Sequence, residues 1–313
     1  MSALPPLPPN VEELAAPQLL GGVWNWCLYG VLAVQTYVYS YNFSKDSRRV
    51  KCLVYGVFFL ETLQTALSGA DLYYWFASGF GKLDHLASPY LTFFDVPIIG
   101  SVVSLTVQFF FVYRIWVLSE KKSWWLCFLI VLCSVVSSIG AFTGGTLTHV
   151  RGRFVTGRIL KMLALTWLVG NTVSDILIAT AMLTQRKSRV GSFRNHALVS
   201  IVRLTIESNI ATTTVSVASL LMVALYPDKN CTSVLGKIYS NTLLVSLNNR
   251  ILIREKTASE GAIHSPVSTF PSTTSRSEAT TDIILMDMQK PLQTLKVHPL
   301  GKHNISERII NIA

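Results

Sequence analysis

The chain has 313 residues, half of them hydrophobic and only 14% charged, with a positive mean hydropathy of +0.43. Soluble domains carry about 25% charged residues, so this composition excludes an ordinary water-soluble globule and points to lipid. The formal charge of +10 does not indicate nucleic acid, because Lys and Arg fall in short runs between apolar stretches, as loops on one side of a membrane do.

In chain order, the first residues, MSALPPLPPNVEELAAPQ, contain Glu12 and Glu13 but no Lys or Arg. They lack the basic start and cleavage site of a secretory signal. Residues 1–17 therefore read as a short N-terminal segment, followed by an uncleaved anchor whose N-terminus is translocated. Residues 18–250 read as an all-α bundle of seven transmembrane helices.

Span one covers residues 19–41 and is followed by FSKDSRRVK, which crowds Lys45, Arg48, Arg49 and Lys51 into one loop. Span two, residues 50–77, ends in the aromatic cluster Tyr73, Tyr74, Trp75 and Phe76, as a membrane interface favours. Span three covers residues 96–118 and span four residues 124–147, which opens on paired tryptophans. Span five covers residues 160–183 and leads into TQRKSRVGSFRNH. Span six, residues 197–225, is long enough to cross yet carries Arg203, Glu207 and Asn209, which must face other helices or a hydrated cavity. Span seven, residues 233–247, is the shortest and most polar.

Loops one, three and five with the start of the tail hold thirteen Lys and Arg, against five on the opposite side, Lys82, Arg151, Arg153, Lys229 and Lys237. This asymmetry predicts an outside N-terminus and a cytoplasmic C-terminus. Arg158 and Lys161 join Arg151 and Arg153 as the dissenting group. Residues 251–313 change character, rich in Ser, Thr and Pro without apolar periodicity, and read as a disordered cytoplasmic tail. The five cysteines are too scattered for a disulfide framework.

Polar groups recur at one depth. At 1.5 Å per residue, Glu61 lies about 16 Å above the cytoplasmic end of span two, Gln108 roughly 15 Å up span three and Asp175 about 12 Å up span five. Arg203 and Glu207 fall at roughly 9 and 15 Å on span six, with Asn241 near the same level on span seven. Asn171 with Asp175, Arg203 with Glu207, and Glu61 with Gln64 each share a helix face. A buried polar layer in the inner half of the bundle follows: Glu61, Gln64, Gln108, Asn171, Asp175, Arg203, Glu207 and Asn241. Arg203 is expected to pair with Asp175 or Glu207, leaving Glu61 protonated or bonded to amides. Such a layer either serves function or only ties helices together, and the sequence leaves both open.

Asp71 and Asp95 are expected at solvated helix ends, and Arg114 is expected to snorkel to headgroups. Gly140 and Gly144 have GxxxG spacing and are read as packing positions within the bundle. No HExxH, GxSxG, phosphate-binding glycine loop or CxxC pair occurs. The chain is therefore expected not to be an enzyme and to hold no cofactor or metal.

Five blocks carry a family resemblance: ETLQTALSGADLYYW, VQFFFVYRIW, WLVGNTVSDILIA, RLTIESN and KIYSNTLLVSLNNR. In this order they resemble seven-helix membrane proteins of mushroom-forming fungi that carry a domain of unknown function, over residues 17–250. The resemblance implies fold and topology and supplies no activity. Three readings stand. One is a receptor-like sensor that couples to a cytoplasmic protein through its inner loops and tail. The others are a proton- or cation-coupled transporter or channel, and a membrane scaffold without a ligand.

Overall fold

A computed structural model of the chain describes residues 11–86, 88–119, 122–151, 158–190, 196–225 and 234–251. Among these residues there is no strand, and seven principal helices run back and forth: α1 (Val11–Asn42), α2 (Arg48–Leu72), α3 (Gly100–Leu118), α4 (Trp124–Arg151), α5 (Arg158–Val190), α6 (His196–Leu225) and α7 (Leu235–Asn248). The tail after residue 251 and the side chains of Arg203 and Glu207 lie outside the described residues.

Two helices change pitch on either side of the loop that joins them. After Leu72 the aromatic run Tyr73–Ser78 continues α2 as a π-helical turn, and Gly81 reverses the chain with φ of 78°. Thr92–Phe94 begins the return, then Asp95–Ile99 forms a second π-helical turn leading into α3. Pro97 sits inside that turn. It has no N–H to donate, and a widened turn is a common way to absorb the gap.

Each helix packs on its successor and α7 returns against α1, so the seven close into a ring. α3 is the inner member, touching α2, α4, α5 and α7. Its buried face carries Val103, Val107, Phe111 and Ile115. They meet Leu32, Val54, Ile178 and Leu243 from other helices in one core. The outer faces remain apolar: Phe128, Leu132, Val136 and Ile139 of α4 are exposed. Such a face has no place in water and suits hydrocarbon.

Four helical stretches are long and apolar enough to cross a membrane: Arg48–Ser78, Thr92–Leu118, Trp124–Val150 and Arg158–Thr184. The other three depart for visible reasons. α1 spreads Trp, Tyr, Asn and Gln along its length, and α6 has the described apolar stretch Asn209–Leu221. α7, with 14 residues, spans about 21 Å. That is less than the ~30 Å hydrocarbon thickness.

Lipid tails are as apolar as the core, so helices hold together by close packing and hydrogen bonds. α4 and α5 show this. A Cβ on Gly140 would stand 3.2 Å from Leu163 O and 3.3 Å from Trp167 N, and one on Gly144 3.6 Å from Leu163 Cβ. Gly140 and Gly144 thus face α5 within the same chain. Gly170 answers from α5, where a Cβ would meet Ser137 Cβ at 2.7 Å and Cys133 O at 3.2 Å. Gly170→Ala should therefore destabilise the bundle by about 1–3 kcal/mol, read as a lower unfolding temperature in detergent. Gly56→Ala, with open space around the added methyl, should cause no loss; equal losses would refute the close contact.

Candidate functional site

The buried residues of α2 recur at helical spacing, Val54, Val57, Glu61, Gln64, Ser68 and Asp71, so one stripe faces inward. Along that stripe the chemistry changes from apolar to polar. Facing it, α7 presents Lys237, Ser240, Leu244 and Leu247, all buried and again at three- and four-residue spacing.

The two stripes join in an ion pair between Lys237 Nζ and Glu61 Oε2, with both side chains 0% exposed. Lys237 Nζ also donates to Glu61 O at 2.7 Å, and Ser240 Oγ donates to Glu61 Oε1 at 2.7 Å. Gly236 packs beside the pair: a Cβ there would lie at ordinary contact distance, 3.5 Å from Gly100 Cα and 3.7 Å from Gln64 Oε1 and Glu61 Oε1. Both charges are out of water, so each depends on the other and on the neighbouring donors.

A second cluster gathers on Asp175 of α5. Tyr239 OH of α7 and Ser216 Oγ of α6 donate to its Oδ2 at 2.5 and 2.7 Å. Gln108 Nε2 of α3 reaches Asp175 Oδ1 and Asn171 Oδ1, each at 3.4 Å. Ser137 of α4 extends the chain, its Oγ 3.0 Å from Asn171 Oδ1 and 2.6 Å from Trp167 O. Five helices thus meet around one carboxylate and one amide.

The geometry changes several expectations. Glu61 is paired with Lys237, where sequence reasoning left it protonated or bonded to amides. Lys237 is inside the bundle and does not belong among the outer basic residues. Asp175 is held by hydroxyl and amide donors. Asn241 is partly buried, and its Nδ2 donates to Leu28 O on α1 at 3.2 Å and to Lys237 O at 2.6 Å. Gln64 is buried beside the pair, with Oε1 unbonded.

The end groups change as well. Asp71 is buried and accepts from Leu91 N at 2.7 Å and Thr92 Oγ1 at 2.9 Å, which pins the turn before span three. Asp95 is also buried, within electrostatic reach of Asp71 and Lys237. Neither is a solvated helix end: Asp71 continues the inward stripe of α2, and Asp95 begins the π-helical turn that leads into α3. Arg114 does not snorkel; it is buried on α3 and donates from Nη1 to Ser246 Oγ at 2.7 Å. Arg250 is buried too, its Nη2 bonded to Asp46 Oδ2 at 2.6 Å and its guanidinium 4.2 Å from the Phe43 ring centroid.

Sequence reasoning missed Lys237, Tyr239, Ser216, Ser137 and Ser240. For Lys237 a signal existed: counted from Asn248 at the end of α7, it stands about 16 Å up, level with Glu61. The hydroxyls carry no such signal, since Ser and Tyr occur throughout membrane helices. Among the described residues no three His, Cys, Asp or Glu side chains converge as a metal site.

Residues 171–251 match the model of a family of unknown function, DUF6534. No curated protein and no solved structure matches the chain. The DUF6534 segment runs from Asn171 on α5 through α6 and α7, so it holds Asp175, Ser216, Lys237, Tyr239 and Ser240. Their partners Glu61, Gln108 and Ser137 come from helices before it. Each polar cluster is therefore completed only when the DUF6534 segment docks on α2, α3 and α4.

Removing one partner of a buried pair costs roughly 3–5 kcal/mol, because the other charge is stranded. Lys237→Met should therefore sharply lower folded yield in fluorescence-detected size exclusion. Adding Glu61→Gln to it should recover most of the loss. A double variant as poor as the single would contradict the pairing.

Proposed function

We propose that the protein is a multi-pass membrane sensor of receptor-like type, with N-terminus outside and C-terminus in the cytoplasm. In this reading the whole of residues 18–250 forms the seven-helix domain of the fungal proteins it resembles, extending the DUF6534 match toward the N-terminus. The observation that carries the reading is the Lys237–Glu61 pair, a charge-bearing latch between α7 and α2. In this reading the pair has two states, closed as seen here, or opened by a ligand or proton that supplies a competing partner and shifts the population. α7 leads directly into the tail, so a shift of α7 reaches the cytoplasmic side, where the basic loop of residues 184–196 and the tail would engage a protein partner.

A second reading, a proton- or cation-coupled transporter, is favoured by the number of buried carboxylates, Glu61, Asp71, Asp95 and Asp175. Against it, the spans lack the paired Gly/Pro breaks of a midplane transport site. The scaffold reading makes the same contacts purely structural.

Reconstitution into liposomes loaded with a pH or cation dye separates these. The sensor reading expects no flux under an imposed gradient. Flux that vanishes in Glu61→Gln would replace it with the transporter.

A further inference from the structure

At the Arg48 end of the bundle, buried arginines outnumber their counter-ions among the described residues. Arg114 is 1% exposed on α3, four residues before Leu118, so its backbone lies about 6 Å inside the helix end. Its Nη1 is bonded to Ser246, while Nε and Nη2 have no hydrogen-bond partner. Nε and Nη2 form the edge of the guanidinium whose N–H bonds run side by side. That is an edge able to grip two oxygens of one carboxylate or phosphate. Arg250 is near enough for its charge to be felt at Arg114, and it is already committed to Asp46. Two buried guanidinium groups thus share one carboxylate among the described residues.

A carboxylate in this position can shed its charge by taking a proton. A guanidinium stays charged, so its burial is offset only by an anion or by water, and water leaves the charge uncompensated. The depth indicates which anion. Tyr113, Trp116, Trp124 and Trp125 are exposed toward this end, and Lys45, Arg48, Arg49 and Lys122 are exposed there too. Aromatic side chains with a basic rim mark the headgroup layer of an anionic leaflet, where phosphate is the abundant oxyanion. We propose that Arg114, with Arg250 beside it, forms a site for one phosphate group entering from the Arg48 end of the bundle. The site does not depend on the sensor reading.

The test uses the full-length protein in vesicles of phosphatidylcholine alone and of phosphatidylcholine doped with phosphatidic acid, with and without inorganic phosphate. The unfolding temperature is expected to rise by several degrees when a phosphate source is added to the wild type, and Arg114→Gln should abolish the rise. Arg49→Gln, on the exposed rim, should keep it. A rise with phosphatidic acid alone identifies a lipid headgroup; a rise with inorganic phosphate in plain phosphatidylcholine identifies a soluble anion. Should Arg114→Gln fail to fold, Arg114→Lys keeps the charge but loses the two-nitrogen edge, and should weaken the response about tenfold in phosphate concentration. An equal rise in wild type and Arg114 variants would reduce the effect to the surface rim and overturn the site. No rise in the wild type would overturn it as well.

Discussion

An ammonium and a carboxylate stripped of water must find each other, and Lys237 and Glu61 do so between α7 and α2. Each ion alone would cost several kcal/mol in this setting. The pair therefore constrains what surrounds it. α7 must come close, so that Lys237 Nζ reaches both the carboxylate and the backbone O of Glu61. The remaining carboxylate oxygen must be bonded, which Ser240 does. A 14-residue helix too short to span the hydrocarbon unaided is thereby fixed inside the ring.

The same logic extends outward from the pair. Asp175 is surrounded by donors from α3, α6 and α7, and Asp46 by Arg250 and Tyr39. Between the clusters the helices meet through aliphatic side chains and, at α4 and α5, through glycines that bring backbone to backbone. Hydrogen bonds give the orientation and close packing supplies the attraction, because no hydrophobic force acts between helices in lipid. The DUF6534 segment contributes one side of both central clusters, so its fold and that of the preceding helices are interdependent.

The helices were legible because apolar runs of about 20 residues have few other uses. The depths of Glu61, Gln108 and Asp175 were legible too, since a constant rise per residue converts position into height. Pairing was not. Lys237 lies two residues from the start of a short helix, and a charge near a span boundary reads as a loop charge unless neighbouring helices are known to cover it. Arg114 misled for the related reason that snorkelling assumes lipid beside the helix, whereas α3 is enclosed by four others. Asp71 and Asp95 misled because a carboxylate near a span boundary reads as a solvated helix end, whereas Asp71 continues the inward stripe of α2 and Asp95 opens the π-helical turn into α3.

An ionised Glu61 deep in the bundle is the proposition on which the rest stands. Infrared difference spectroscopy of wild type against Glu61→Gln, in lipid and deuterated buffer, reports its protonation state directly. The account predicts that the substitution removes a carboxylate stretching band. Loss of a protonated carboxyl carbonyl band in its place would mean that Glu61 is neutral and that Lys237 has no ionic partner there.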